Sequence, residues 1–222
     1  MTRSPFFLRP LLALLLAGGV QAAGAAQIQL YESGPAEDAA FLRFVNGGDA
    51  VMDVSAKGSK ARLTLDAAHP ASDFMPVRAK TNVQGTLSSG GKQANVDVAV
   101  QPGEFLTVVG LPDGAKLVRE QPDDFNALKV SLGFYNLDPS CADAGLLAAG
   151  RNVAIFEQVA QGGAARRQVN PVALQVVASC GGQPSGKALD LGVLQAGDRH
   201  TVLLLPSAKG PRLLHAPDKT SF

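Results

Sequence analysis

Residues 98–109 read VAVQPGEFLTVV, and residues 191–203 read LGVLQAGDRHTVL. In each stretch an apolar strand pattern runs into a Gly-containing turn, and a second apolar strand pattern follows. Both then continue to a Leu-Pro pair and finish in a basic and apolar segment, at residues 111–119 and 205–215. The same succession of strand and turn signals, met twice in one chain, predicts two related halves built from strands.

Two further matches extend the repeat, with an offset between the halves of 90 to 96 residues throughout. Val45-Asn46 corresponds to Tyr135-Asn136, and Pro76–Ala79 corresponds to Pro171–Leu174. A chance likeness is plausible for one pair of strands but much less so for four segments in the same order. These matches therefore predict two tandem domains of similar fold.

Short strands dominate the rest of the chain. Phe41–Asn46 is apolar and aromatic and ends at a Gly-rich turn, while Ala61–Asp66 and Ala94–Val100 alternate with period two. The nearest approach to a helical pattern is Ala142–Ala149, which is short and poor in charge. We predict an all-β protein of two tandem related β-sandwich domains, with no helix.

The polar, Pro-containing stretch Glu120–Asp124 is typical of a linker. It predicts an N-terminal β-sandwich domain over residues 27–120 and a C-terminal one over residues 125–222.

The N-terminus has the composition of a secretory signal peptide. Arg3 and Arg9 precede an apolar run, Leu11–Val20, and small residues follow at the positions that a signal peptidase reads. Residues 1–22 are predicted to be this signal, which places the mature protein in the periplasm; the alternative is a retained membrane anchor. The formal net charge of the whole chain is only +1, which argues against nucleic acid as a partner.

The two cysteines, Cys141 and Cys180, predict one disulfide. An exported chain meets an oxidising compartment, and an even cysteine count there favours a bridge. Closing a loop of this length would stabilise the fold by about 3–4 kcal/mol. The alternative is two buried free thiols.

The residues that usually carry chemistry do not form a recognisable pattern. The three histidines, His69, His200 and His215, have no partners at metal-ligand spacing, and we expect them at the surface or at strand ends. No serine-nucleophile motif and no phosphate-binding glycine loop is present. The sequence therefore predicts no catalytic residue, no cofactor-binding residue and no metal ligand, and hence a protein that is not an enzyme.

The order of motifs resembles the AlgF family of periplasmic accessory proteins in alginate O-acetylation. The likeness is carried by five short segments, Leu30-Tyr31, Ala40–Gly48, Ser72–Phe74, Phe105–Val109 and Gln168–Val172. Two features depart from the family pattern: the two cysteines, and residues 139–151, which we expect to be an insertion.

The resemblance implies a non-catalytic adaptor of two β-sandwich domains. Its implied partners are periplasmic and membrane-bound acetyl-transfer proteins, together with the polysaccharide if the polymer is bound directly. The polymer is alginate or a related exopolysaccharide such as cellulose. A carbohydrate-binding module that holds the polymer, and an enzyme with an unrecognised site, are the rival hypotheses.

Overall fold

A computed structural model describes residues 38–122, 126–151 and 153–221 of the chain. The predicted signal peptide, residues 1–22, and the Leu30-Tyr31 motif lie outside the described residues. So do the predicted domain start at residue 27, the linker residues Asp123 and Asp124, and Phe125 at the predicted start of the second domain.

The first half forms two four-stranded sheets. One has the strand order β4-β1-β7-β8 and the other β3-β2-β5-β6. The strands are β1 (Ala39–Asn46), β2 (Met52–Ala56), β3 (Arg62–Leu65), β4 (Met75–Arg78), β5 (Asn82–Ser89), β6 (Lys92–Ala99), β7 (Phe105–Leu111) and β8 (Gly114–Glu120).

The second half repeats this topology strand for strand. Its sheets have the orders β12-β9-β15-β16 and β11-β10-β13-β14. The strands are β9 (Val130–Asn136), β10 (Asp143–Ala148), β11 (Val153–Ala160), β12 (Ala164–Val169), β13 (Ala173–Cys180), β14 (Gln183–Val193), β15 (Arg199–Leu205) and β16 (Arg212–Pro217). The described residues contain no helix, so the prediction of an all-β protein with tandem sandwiches is confirmed.

The turn at residues 101–104 and its counterpart at residues 195–198 have the same hydrogen bond. The amide of Gln101 donates to the Glu104 carboxylate at 2.7 Å, and the amide of Gln195 donates to the Asp198 carboxylate at 3.1 Å. Each turn leads into a strand that pairs in parallel with the first strand of its own half, β7 with β1 and β15 with β9. The sequence repeat thus marks equivalent structure.

One detail of the sequence alignment is wrong. Pro76 lies in β4, whose counterpart is β12, whereas Pro171 precedes β13, whose counterpart is β5. Residues 139–151, which we expect to be an insertion relative to the family, contain β10, the counterpart of β2 in the repeat. β10 covers most of the segment that comes nearest to a helical pattern, and its partners β11 and β13 decide that it is a strand.

The four sheets form a stack with three apolar layers between them. One layer fills the first sandwich and another fills the second. A third lies between the sandwiches and joins β1, β7 and β8 to β9, β15 and β16 through residues such as Val45, Val109, Leu203 and Leu214. The sheets that contain β1 and β9 are therefore inner sheets, and each of the other two has one open face.

At one equivalent core position, the two sandwiches have side chains of very different size. Gly110 pairs with Asn46 in the first half, and Leu204 pairs with Asn136 in the second. A Cβ on Gly110 would lie only 2.2 Å from the sulfur of Met52, which is buried. The second half has the small Ala144 at the position of Met52, because Met52 pairs with Ser89 as Ala144 pairs with Cys180. A large residue on one strand thus goes with a small residue on its neighbour.

This exchange predicts a coupled pair of substitutions. Gly110→Leu should lower the free energy of unfolding by about 1–3 kcal/mol because it overpacks the core, and Met52→Ala by about 2–5 kcal/mol because it leaves a cavity. The double variant reproduces the arrangement of the second sandwich and should lose clearly less than the sum of the two. Urea denaturation of the four proteins measures this coupling, and strictly additive losses would contradict the equivalence.

Candidate functional site

A fully buried arginine lies on the face of β1 that points to the second sandwich. Arg43 is 0% exposed, and its Nη1 donates to Oδ1 of Asp218 at 2.6 Å. Its Nε donates to Oγ1 of Thr107 on β7 at 2.9 Å, and its guanidinium lies 4.4 Å from the centre of the Phe74 ring. A buried cation needs such compensation, here a carboxylate, a hydroxyl and an aromatic face.

A second arginine completes the network from the other sandwich. Arg166 of β12 donates from Nη2 to Oδ2 of Asp218 at 2.9 Å. Its Nε and Nη2 bind the two carboxylate oxygens of Glu120 at 2.8 and 3.0 Å. Thr201 donates to Asp218 at 2.7 Å, and the Tyr135 hydroxyl donates to Glu120. Two cations and two anions from both sandwiches thus neutralise one another at the interface.

The pKa values of these groups reflect their pairing. Burial by itself would raise the pKa of Asp218, but the charges of Arg43 and Arg166 outweigh it and lower that pKa. Burial raises the pKa of Tyr135, and the charge of Glu120 raises it further. Asp218 is therefore ionised and Tyr135 protonated at neutral pH, so Asp218 forms salt bridges with both arginines.

The C-terminal segment continues from this network onto the first sandwich. The amide of Phe74 donates to the carbonyl of Lys219 at 2.7 Å, and the amide of Ser221 donates to the carbonyl of Phe74 at 2.9 Å. These bonds form a parallel bridge between Phe74 and Thr220. The last residues of the second half thus add backbone hydrogen bonds to the first.

Glu120 has a different role from the one that the sequence predicts. It lies at the end of the predicted first domain and at the start of the predicted linker, and in the structure it is the last residue of β8 and binds Arg166 and Tyr135. Local composition does not reveal this role, since the two partners are distant in the chain.

His200 and His215 form a pair that the sequence does not predict. Val202 on β15 pairs with His215 on β16, which brings Nδ1 of His200 within 3.0 Å of Nε2 of His215. His200 is only 9% exposed and is the second residue of β15, so it lies near a strand end and not at the surface. His69 lies in a loop with an exposed side chain, as expected. Burial and the neighbouring His200 lower the pKa of His215 to about 4, so it is neutral at pH 7.

One asparagine organises the same end of each sandwich. In the first, Nδ2 of Asn46 donates to the carbonyls of Ala50 and Leu65 at 2.8 and 3.1 Å. It fixes the loop that follows β1 against the end of β3. The hydroxyl of Ser89, at the end of β5, lies 3.4 Å from the same Ala50 carbonyl.

Asn136 has the equivalent contacts in the second sandwich. Its Nδ2 donates to the carbonyls of Cys141 and Val159 at 2.8 and 3.0 Å. Cys141 is joined to Cys180 in a disulfide, with a Cα–Cα distance of 5.5 Å, as the sequence predicts. The bridge therefore lies at the positions that Ala50 and Ser89 occupy in the first sandwich.

Within residues 38–122, 126–151 and 153–221, no group of three or more His, Cys, Asp or Glu side chains is arranged to hold a metal ion. A search of the same residues for a membrane-spanning helix, long and apolar enough to cross a bilayer, finds none.

Comparison with known proteins decides the family. A family model described as alginate O-acetyl transferase AlgF matches residues 12–200. The chain belongs to the AlgF family. This AlgF-family chain is therefore related to proteins of alginate O-acetylation. Among curated protein sequences, none matches it.

Solved structures give only distant likenesses to this AlgF-family chain. The Bacillus anthracis TIE protein is 8% identical with a TM-score of 0.27, over 76% of this chain and 34% of its own. The chain thus spans about a third of that protein's length. A family CBM26 module, CBMbc from Eubacterium rectale Amy13K, solved with maltoheptaose, is 12% identical with a TM-score of 0.26, over 79% of this chain and 96% of its own.

The interface network predicts that Asp218→Asn is strongly destabilising. The substitution leaves two buried guanidinium groups with one carboxylate, and removing one partner of a buried ion pair typically costs about 3–5 kcal/mol. Asp73→Asn, on an exposed loop of the first sandwich, is the matched control and should change the free energy of unfolding by less than about 0.5 kcal/mol. Equal urea midpoints for the two variants would show that the network contributes nothing to the stability of the fold.

The histidine pair predicts a pH dependence of stability between pH 6.5 and 4. The folded-state pKa of His215 lies below its unfolded value, so the unfolded chain binds the proton first as the pH falls. Stability should therefore decrease as the pH falls from about 6.5 to 4, by about 1–2 kcal/mol after allowance for the partial exposure of the ring. His215→Gln should remove this part of the slope in urea titrations, while His69→Gln should leave it unchanged.

Proposed function

We propose that this AlgF-family protein is a periplasmic, non-catalytic adaptor that supports O-acetylation of a secreted exopolysaccharide, alginate or a related polymer. It works by holding acetyl-transfer proteins together. The observation that carries the proposal is the four-sheet stack, in which two inner sheets are sealed and two outer sheets each have an open face.

The buried charges support a structural role for the interior. Arg43, Arg166, Glu120 and Asp218 bind one another across the interface and are enclosed between the sandwiches. Groups held in this way fix the position of the two sandwiches and are not accessible to a substrate. Recognition of a partner therefore falls to the outer faces.

The two outer faces differ in chemistry. On the first sandwich, Asp53 binds Arg62 and Thr64, and Asp97 binds Asn82 and Gln84, so the face is a flat polar ladder. On the second, a groove of about 610 Å³ crosses the outer sheet, with acidic residues at its walls and glycines along it: Asp143, Glu157, Gly145, Gly181 and Gly182. Two different faces on opposite sides of one body suit an adaptor with two different partners.

The adaptor role predicts separable losses from the two faces. Asn95→Arg on the first outer face and Glu157→Arg on the second should each abolish polymer acetylation in cells and leave polymer synthesis intact. Each should weaken co-purification with one acetyl-transfer protein but keep the other, because the two faces act independently. Asp73→Arg, on an exposed loop outside both faces, is the matched control.

Two outcomes would contradict the proposal. If a stably folded His69→Ala, His200→Ala or His215→Ala variant abolishes acetylation as completely as deletion of the protein, the chain is an enzyme. If the purified protein binds no acetyl-transfer protein in the absence of polymer, it is not an adaptor.

A further inference from the structure

The groove on the outer sheet of the second sandwich is built around a glycine. Gly145 of β10 lines the groove and lies directly opposite Ser179 of β13 in the sheet. A Cβ on Gly145 would lie only 2.5 Å from the hydroxyl oxygen of Ser179 and 2.8 Å from the carbonyl oxygen of Phe156. The Ser179 hydroxyl therefore points into the space that a side chain at residue 145 would fill.

The first sandwich has a side chain at the equivalent position. Asp53 pairs with Ser88 there, as Gly145 pairs with Ser179 in the second sandwich. The Asp53 carboxylate binds side chains of the neighbouring strand β3 and so covers its sheet. Because the second sandwich lacks this side chain, a groove of about 610 Å³ lies on the same backbone framework.

A β-bulge in β11 brings two successive side chains to the groove. The pairing of β10 with β11 shifts by one residue next to Gly145, so Glu157 and Gln158 together lie opposite it. Successive side chains of a regular strand point to opposite faces, but both of these line the groove. Gln158 has a φ of 53°, a left-handed conformation that is strained for a residue with a side chain. The counterpart pair, β2 with β3, has no such shift.

Ser179 places a hydrogen-bonding group without a partner in this groove. The residue is only 4% exposed, and its hydroxyl makes no hydrogen bond within the described part of the chain. Buried polar groups are nearly always hydrogen-bonded, so this hydroxyl points to a ligand. Since a hydroxyl both donates and accepts, a backbone amide or carbonyl of a bound peptide would satisfy it.

The carboxylates of the groove are also without partners. Within the described residues, neither Asp143 nor Glu157 has a side-chain hydrogen bond or an ion pair, whereas Asp53 and Asp97 on the first outer face are bound by neighbouring side chains. Free carboxylates can bind an incoming cation without first releasing another group.

The cations near the groove leave this acidic character in place. The four strands of the sheet carry three carboxylates, those of Asp143, Glu157 and Asp190, and one cation, Lys187. Two arginines lie beside the sheet and do not line the groove. Arg167, on the neighbouring sheet, donates from Nη1 to the carbonyl of Ile155 at 2.6 Å, and Arg151 lies in the β10–β11 turn.

We infer that this groove binds an extended, arginine-bearing segment of an acetyl-transfer protein. The backbone of the segment bonds to the Ser179 hydroxyl, and the guanidinium pairs with Glu157 and Asp143, because its planar fork of donors suits carboxylates. The inference rests on the proposed adaptor function for the partner's existence, and it adds the chemistry that the partner presents to the second outer face.

Two blocked pentapeptides of alanine, one with a central arginine and one with a central glutamate, test this chemistry on the mature protein. In NMR titrations the arginine peptide should shift the amide signals of Gly145, Gly181 and Gly182. It should bind at least about tenfold more tightly than the glutamate peptide. Added salt should weaken this binding, because exposed charge pairs are screened.

Two substitutions separate binding from folding. Ser179→Ala removes a hydroxyl that has no partner, so the urea midpoint should stay unchanged while the arginine peptide binds about fivefold more weakly. Glu157→Gln should weaken the peptide about tenfold, because it removes a charged acceptor. The matched controls on the first outer face, Ser88→Ala and Asp97→Asn, should leave the affinity unchanged.

Three results would overturn the inference. They are equal binding of the two peptides by the native protein, no shift of the three glycine signals, and undiminished binding of the arginine peptide by both groove variants.

The two proposals fail separately. If the arginine peptide does not bind, while Glu157→Arg still abolishes acetylation and still loses one partner in co-purification, the groove inference is wrong and the adaptor remains. If the peptide binds in the groove but no acetyl-transfer protein co-purifies, the adaptor is wrong and the basic-segment site remains.

Discussion

The carboxylate of Asp218 is the interaction on which the arrangement of this protein depends. One of its oxygens binds Arg43 from the first sandwich and the other binds Arg166 from the second. Without it, Arg43 would be a buried charge with no carboxylate partner, and Arg166 would keep only Glu120. An unpaired buried charge is far more costly than a paired one. The residues after it then pair with Phe74, so the same short segment supplies both the ionic and the backbone contacts to the first half.

This constraint explains why the inner strands are buried on both faces. β1 and β9 alternate between side chains that fill their own sandwich and side chains that meet the other, so both strands are almost wholly buried. Double burial of a sandwich sheet is unusual, since one face is normally solvated. Here the second face carries an apolar layer with a polar network beside it, and the two halves become one body.

The repeat shows how related sandwiches diverge while the backbone stays the same. The asparagine at the end of the first strand keeps its two carbonyl partners in both halves, which fixes the neighbouring loop. Around it the side chains have changed in compensating pairs: Met52 with Gly110 in one half, Ala144 with Leu204 in the other. The disulfide lies in the second half, at the positions that correspond to Ala50 and Ser89 in the first.

The sequence by itself determined the fold class, the repeat, its turns and the cysteine pair, because these depend on local alternation, turn residues and export chemistry. It misplaced the Pro171 match, since strand order within a sheet is set by long-range pairing that a linear pattern does not record. It also could not show that Glu120 leaves the linker for a salt bridge, or that His200 meets His215, because partners 46 and 15 residues apart are joined only by tertiary packing. The equivalence between Ala50 and Cys141 was likewise decided by tertiary structure, since it rests on a shared hydrogen bond and not on any shared residue type.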